Sequence, residues 1–283
     1  MPFENNPPIV PSENPTGIYR TTFSIPENWR GKRIIIHIGA AESYLEVYCN
    51  GKFIGMGKDC RLPSEFDLTP AINAGGKNIL VCKVVRWSDS SYIEDQDQWW
   101  MAGIYRSVYL YATDKVFIED IFINGDFEAE KSEGILDCQV HIGFQVSEYL
   151  TPNAILTTGI GPTEDYQVRI TLLSPEKKNI FTDILKISSS FRIDNYTTSL
   201  KKHLPAIKPW SAESPVLYYL HAELLDHEQN VIECRSKRVG FRNIRIEGCD
   251  LLINNKRVMI CGVNRHEHDA YNGKTLTLES MIK

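Results

Sequence analysis

Tyr44-Leu45-Glu46-Val47-Tyr48-Cys49-Asn50-Gly51-Lys52-Phe53-Ile54-Gly55 decides the fold class of this chain. Leu45-Glu46-Val47-Tyr48 alternates apolar and polar, the period of two that a half-buried strand requires. Asn50-Gly51 accepts the positive φ angles of a tight two-residue turn. Lys52 to Gly55 then returns, so the stretch reads as an antiparallel hairpin. Upstream, Ile34-Ile35-Ile36-His37-Ile38 is apolar on both faces, as in a strand covered from both sides. Downstream, Asn73-Ala74-Gly75-Gly76 is a turn leading into Ile79-Leu80-Val81-Cys82-Lys83-Val84-Val85, a central strand, and residues 108–111 close the unit. Residues 1–113 are therefore expected to form a jelly-roll sandwich, a shape suited to carbohydrate binding.

The β texture continues. Strands are expected over 116–123, 135–146, 166–173, 180–187 and 218–225, separated by Pro, Gly, Asn and Ser clusters at sandwich-like spacing. Residues 114–242 thus read as an immunoglobulin-like sandwich, with no convincing catalytic cluster. Beyond them, Leu251-Leu252-Ile253 and Arg257-Val258-Met259-Ile260-Cys261 flank an Asn254-Asn255 turn. Gly262 to His268 follow as a strand end and loop. Thr277 is placed to cap a helix starting at Leu278.

The 283 residues suffice for two domains or a little more. The net charge of −5, with no basic block, argues against nucleic acid or an anionic membrane as partner. No apolar run approaches the roughly 20 residues that span a bilayer. Met1-Pro2-Phe3-Glu4 does not begin a secretory signal. The seven cysteines are scattered and contain no Cys-x-x-Cys, which is neither a disulfide framework nor a zinc pattern. Cys82 and Cys261 sit in apolar runs and are expected to be core thiols. A reducing, cytoplasmic location fits. A periplasmic or secreted one stays open, because the N-terminus is expected to be clipped. Asn195-Tyr196-Thr197 is a formal glycosylation sequon of the kind that arises by chance.

Chemistry concentrates in Glu94-Asp95-Gln96-Asp97-Gln98-Trp99-Trp100-Met101-Ala102-Gly103-Ile104-Tyr105-Arg106. Carboxylates are rarely buried unless paired or ligating. Tryptophan faces beside carboxylates suit sugar rings, whose C–H faces stack while their hydroxyls seek acceptors. The plainer reading is an ion-paired loop in which Arg106 neutralises Asp95 or Asp97, with the tryptophans in packing roles. Further segments weigh on the choice: Gly262-Val263-Asn264-Arg265-His266-Glu267-His268, Asn6-Pro7-Pro8 through Glu13-Asn14-Pro15-Thr16-Gly17, Arg61-Leu62-Pro63-Ser64-Glu65-Phe66-Asp67-Leu68, and Arg86-Trp87-Ser88-Asp89. Together these resemble the large bacterial β-galactosidases of glycoside hydrolase family two. The likeness runs the length of the chain and is weakest between about 115 and 208.

The resemblance implies a mainly β chain in three parts: a jelly-roll sugar-binding sandwich (1–113), an immunoglobulin-like sandwich (114–242), and the first strand and helix start of a truncated (β/α)₈ barrel (243–283). A whole barrel takes about 250 residues. It implies the N-terminal portion of a retaining β-galactosidase that hydrolyses terminal β-D-galactosides such as lactose. Retaining glycosidases use two carboxylates. Both family glutamates lie past the last residue here, so no catalytic residue is carried over, and Glu267 is not promoted to nucleophile. The chain alone is expected to be inactive.

Three substrate contacts are implied. Asn6 reaches the galactose through its amide, with Pro7-Pro8 holding the segment extended. Asp97 touches the sugar and helps to hold a sodium ion, a hard cation that wants oxygen ligands. His266 hydrogen-bonds the galactosyl hydroxyls. These three converge only if the first sandwich packs against the barrel. A magnesium site lies near Asp89 in some relatives, but Lys58 is a poor neighbour for a cation. Sodium and magnesium are thus expected of the full-length enzyme, as is a homo-oligomer. His266 and His268 share a strand face but lack a third metal ligand. The alternative reading is a non-catalytic carbohydrate-binding or complementing fragment. Val258 to Cys261 would form an apolar strand with unpaired edges. Residues from about 248 onward are therefore expected to be poorly ordered or to pair with another copy.

Overall fold

The computed structural model describes residues 3–94, 99–145, 166–189 and 196–282. Asp95, Asp97 and Asn195 lie outside the described residues, as does the expected end of a strand at residue 146. The chain divides into two compact units, one of Met1–Thr113 with Val263–Lys283, the other of Asp114–Gly262.

The first unit contains β1 (Thr16–Phe23), β2 (Arg33–Ile38), β3 (Ala41–Glu42), β4 (Tyr44–Cys49), β5 (Lys52–Gly57), β6 (Ser64–Asp67), β7 (Asn78–Val85), β8 (Gly103–Ile104) and β9 (Val108–Thr113). One antiparallel sheet runs β1-β7-β4-β5 and a second runs β6-β2-β9, with β3-β8 as a short pair. The alternation in the sequence explains the core between them. Leu45, Val47 and Cys49 point inward from β4, and Leu80, Cys82 and Val84 from β7, to meet Ile34, Ile36 and Ile38 of β2. Ile35 is also buried, at 1% exposure, so β2 is covered on both faces as its apolar run requires. Asn50 and Gly51 adopt φ of 51° and 80°, the signs that a two-residue hairpin turn demands. Fully buried Asn78 accepts from the Asn50 amide at 2.8 Å and from the Asn73 backbone N–H at 2.7 Å, which joins two turns at one end of the sandwich.

The second unit contains β10 (Val116–Glu128), β11 (Glu133–Phe144), β12 (Gln167–Leu173), β13 (Asn179–Lys186), β14 (Ser188–Ser189), β15 (Tyr196–Pro205), β16 (Tyr218–Leu225), β17 (Val231–Val239), β18 (Ile244–Glu247), β19 (Asp250–Ile253) and β20 (Lys256–Arg257). Sheets β10-β11-β15-β14 and β13-β12-β16-β17 enclose a core of Ile118, Leu136, Val168, Ile170, Leu172, Leu220 and Phe241. This is the immunoglobulin-like sandwich that the spacing suggested.

The sheet β18-β19-β20 closes on itself through the Asn254-Asn255 turn, where φ is 49° and 65°. Residues 250–257 thus find strand partners within the chain, where the sequence reading expected poor order or a second copy. The expected strand over 257–261 is shorter than foreseen. Only Lys256–Arg257 pair, and residues 258–268 form no strand. A barrel strand is held by parallel neighbours on both sides. None of the described residues supplies them, so Met259 and Ile260 stand 77% and 80% exposed. Cys261 is likewise exposed rather than a core thiol, whereas Cys82 is buried as expected. The short helix α1 (Leu278–Ile282) starts where Thr277 caps it, the Ser280 N–H donating to Thr277 Oγ1 at 3.2 Å.

Candidate functional site

The segments that stood out in the sequence are built into one another within the first unit. The Asn14 side chain pairs with the Trp87 backbone both ways, donating to its carbonyl at 2.8 Å and accepting from its N–H at 2.9 Å. Asn14 is therefore a clamp between two segments, and a shorter or apolar side chain would leave a part-buried peptide group unmet. Next to it, the Arg86 guanidinium lies 4.8 Å from the Trp87 ring and donates to the Trp100 carbonyl at 3.1 Å. Phe3 meets Trp87 and Tyr92 edge-on, at 5.2 and 5.7 Å between centroids. These contacts fix the start of the acidic, aromatic loop and the backbone just past it.

One of that loop's three carboxylates has a structural task. Glu94 accepts the Cys60 N–H through both oxygens, at 3.2 and 3.0 Å. Burial, reinforced by Glu94, holds the Cys60 thiol far above its ordinary pKa, so it stays protonated. The Tyr105 hydroxyl donates to the Cys60 carbonyl. Arg106, read as a partner for Asp95 or Asp97, donates to the Arg61 carbonyl at 2.6 Å and lies 5.6 Å from the Tyr105 ring.

The remaining candidates fall as follows. Asn6 is exposed and opens a turn, the Ile9 N–H donating to its carbonyl at 2.9 Å. The expectation of an extended segment is corrected here, since Pro7 and Pro8 occupy the turn that this hydrogen bond closes. Tyr92 donates to the Asn5 and Ile9 carbonyls at 2.8 and 2.6 Å, so the Asn6 turn is fastened two residues before Glu94. His266 is exposed, and its carbonyl accepts from His268 Nδ1 at 3.2 Å. His268 in turn meets the Trp99 ring edge-on at 6.0 Å. Trp99 keeps 40% of its surface open, enough for a stacking partner on one face. Glu267 lies 3.8 Å from Arg265, an ion pair at the surface.

Asp97 itself lies outside the described residues. The Asp89 carboxylate is occupied, with Lys58 Nζ 2.8 and 3.0 Å from its two oxygens. An ammonium there takes the place of a divalent cation, so these residues do not fit a magnesium site.

Two contacts escaped the sequence reading. Lys274 and Glu42 form an ion pair at 2.6 Å, and a cleft of 740 Å³ opens beside it, lined by Arg61, Tyr105, Arg106 and Glu267 among others. No local pattern announces a pair separated by 232 residues. In the second unit a 570 Å³ cleft contains Trp210, but Arg242 lies over its ring at 4.5 Å, so that aromatic face already holds a cation. Among the described residues no helix is long and apolar enough to cross a membrane.

Comparison with known proteins agrees with this layout. Three models from one family match in succession: "Glycosyl hydrolases family 2, sugar binding domain" over residues 1–114, "Glycosyl hydrolases family 2" over 116–242, and "Glycosyl hydrolases family 2, TIM barrel domain" over 244–283. A β-galactosidase of Vibrio vulnificus is 39% identical over 288 residues, covering 100% of this chain and 26% of that protein. One from Psychromonas ingrahamii is 34% identical over 281 residues, covering 99% and 26%. The chain thus spans about a quarter of the length of these relatives. A β-glucuronidase of Bacteroides uniformis shares the fold with a TM-score of 0.79 at 21% identity, over 93% of this chain and 31% of that one.

Proposed function

Because this chain belongs to glycosyl hydrolase family 2, we propose that it is the N-terminal portion of a retaining β-galactosidase whose whole chain hydrolyses terminal β-D-galactosides such as lactose. The observation that carries the reading is the contact between Trp99, within the acidic, aromatic loop, and His268, two residues from His266. It joins two sequence-distant segments that both carry hydroxyl-binding chemistry. The identity to β-galactosidases of 34–39% along this chain supports galactose over glucuronic acid.

In this reading His266 donates to and accepts from sugar hydroxyls, as an imidazole can. Asn6 offers its amide and Asp97 its carboxylate to the same sugar. Asp97 would also be one oxygen ligand of a sodium ion, which supplies a fixed positive charge when bound. The glutamate pair that attacks the anomeric carbon and protonates the leaving oxygen is not among these residues. The complete enzyme is a homo-oligomer in this proposal. A complementing role for the chain is the second reading. It is favoured by the exposure of Ile260 at 80%, Val263 at 91% and Tyr271 at 97%, surfaces that suit association with further barrel segments.

The test is kinetic. In the complete enzyme His266→Ala should cost about 2–4 kcal/mol of transition-state stabilisation, on the scale of a lost preorganised polar contact, and so lower kcat/KM by roughly 30- to 900-fold. The 283-residue chain alone should leave a chromogenic β-galactoside intact. Turnover by the isolated chain, or a complete enzyme that prefers β-glucuronides, would sink the proposal.

A further inference from the structure

Glu42 and Lys274 form a deeply covered ion pair of the first unit, with side chains 12% and 6% exposed and 2.6 Å between charged atoms. Either charge alone would be costly at that depth, so the pair holds its two segments together. The Lys274 ammonium also lies 5.7 Å from the Tyr105 ring, and Thr275 Oγ1 donates to the Tyr105 carbonyl at 3.3 Å. Tyr105 reaches Cys60, and Cys60 reaches Glu94. A line of direct contacts therefore runs from Lys274 to the first carboxylate of the acidic, aromatic loop.

The tryptophan stretch of that loop meets the same segment. Trp99 touches His268, and Met101 abuts Gly273, where an added Cβ would come within 2.9 Å of Met101 Cε. Gly273 has φ of +65°, so a side chain is disfavoured there twice over. The segment is also stiff in its own right. Asp269 and Gly273 exchange backbone hydrogen bonds at 2.8 and 3.0 Å. The Asp269 carboxylate accepts the Tyr271 and Asn272 N–H groups at 2.9 and 2.8 Å, and these bonds hold it below the ordinary aspartate range. Lys274 thus carries a preformed turn, and where its ammonium goes the turn follows.

We propose that Glu42 and Lys274 are positioning residues, which pin residues 268–275 against Trp99, Met101 and Tyr105 of the acidic, aromatic loop and thereby fix His266 beside the sugar-contacting segment. The purpose of this device rests on the galactoside reading; its geometry does not. The direct test is proton NMR of the 283-residue chain, following the nuclear Overhauser contacts between the Trp99 and His268 rings and between the Met101 ε-methyl and Gly273. Wild type should show both. Lys274→Met should lose them, and so should Glu42→Gln/Lys274→Met, which removes both charges and leaves neither stranded. Lys274→Arg should restore them.

Core amide signals of β2, β4 and β7 that hold in the double variant separate release of the turn from unfolding of the sandwich. Contacts that persist in a folded double variant, or loss that Lys274→Arg fails to rescue, overturn the proposal. Titration of wild type with a non-hydrolysable β-galactoside tests the other reading separately. Unmoved His266 and Trp99 signals would count against galactoside binding by this chain and leave the anchor standing.

Discussion

Replacing Phe241 by alanine should remove about 4–5 kcal/mol from the stability of the second sandwich. The side chain is fully buried, packs edge-on against Tyr218 at 5.2 Å and 89°, and presses on Gly134, where a Cβ would sit 2.9 Å from its ring. Truncating a buried phenylalanine costs about 3–5 kcal/mol. The lost aromatic pair, worth about 0.5–1.5 kcal/mol, moves the figure toward the upper end. Gly134 has no side chain to fall into the void, so little is recovered by collapse. With a urea slope of about 2 kcal/mol per molar, the midpoint should fall by roughly 2 M.

The assay is urea unfolding read by fluorine NMR after incorporation of 5-fluorotryptophan. Trp210 is the one tryptophan between residues 114 and 262, and its backbone N–H donates to the Phe241 carbonyl at 2.8 Å. Its signal reports the second sandwich, while the signals of Trp29, Trp87, Trp99 and Trp100 report the first. Phe241→Leu, which keeps most of the volume, should cost about 1–1.5 kcal/mol. A loss below about 1 kcal/mol for Phe241→Ala would refute the argument that this ring closes the core.

A thiol reagent under native conditions should modify Cys234, Cys249 and Cys261 and spare Cys49, Cys60, Cys82 and Cys138, with all seven reacting in denaturant; fast labelling of Cys82, whose thiol burial raises to about 11, would contradict the packing. The Glu46 carboxylate, which accepts from Tyr48 and Tyr44 at 2.7 and 2.9 Å, is held below its ordinary value of 4.5 chiefly by the Tyr48 hydroxyl. Because its folded value is depressed, its contribution is present above pH 4.5 and is lost as pH falls through the lower folded value. Glu46→Gln should therefore flatten the acid limb of stability measured between pH 5 and about 2, and an unchanged limb would discount the network. Asn14→Ala should cost about 1–3 kcal/mol by stranding the part-buried Trp87 peptide group, which a thermal melt of the first unit would detect.

How far the sequence speaks depends on the distance over which a residue acts. The hairpin at Asn50-Gly51 and the strand over 78–85 were plain, because their alternation and turn chemistry are local. β1 went unread because it is an edge strand whose side chains are mostly exposed, which erases the period of two. β17 hid behind Glu233, Arg235, Lys237 and Arg238. Such charges protect an edge from unwanted pairing, yet they resemble a loop on the page. At the site, the weight of the acidic, aromatic loop was legible. The division of labour within it was not, since Glu94 acts on a backbone N–H that only the fold brings near. The run over 257–261 misled because it reads as a strand only where parallel neighbours exist to hold it.

The spacing of Glu42 and Lys274 also sets a clock. The ribosome adds about 5–20 residues each second, so the 232 positions between them take roughly 10–50 s to make. The jelly roll has emerged by then, and the whole immunoglobulin-like sandwich is synthesised before the lysine appears. Through that interval the carboxylate keeps its water shell, and the surface it will share with Lys274 stays open. The first sandwich is thus completed only after the sandwich that follows it has been made, and a nascent chain stalled before residue 274 would carry a solvated Glu42 in an otherwise folded sandwich.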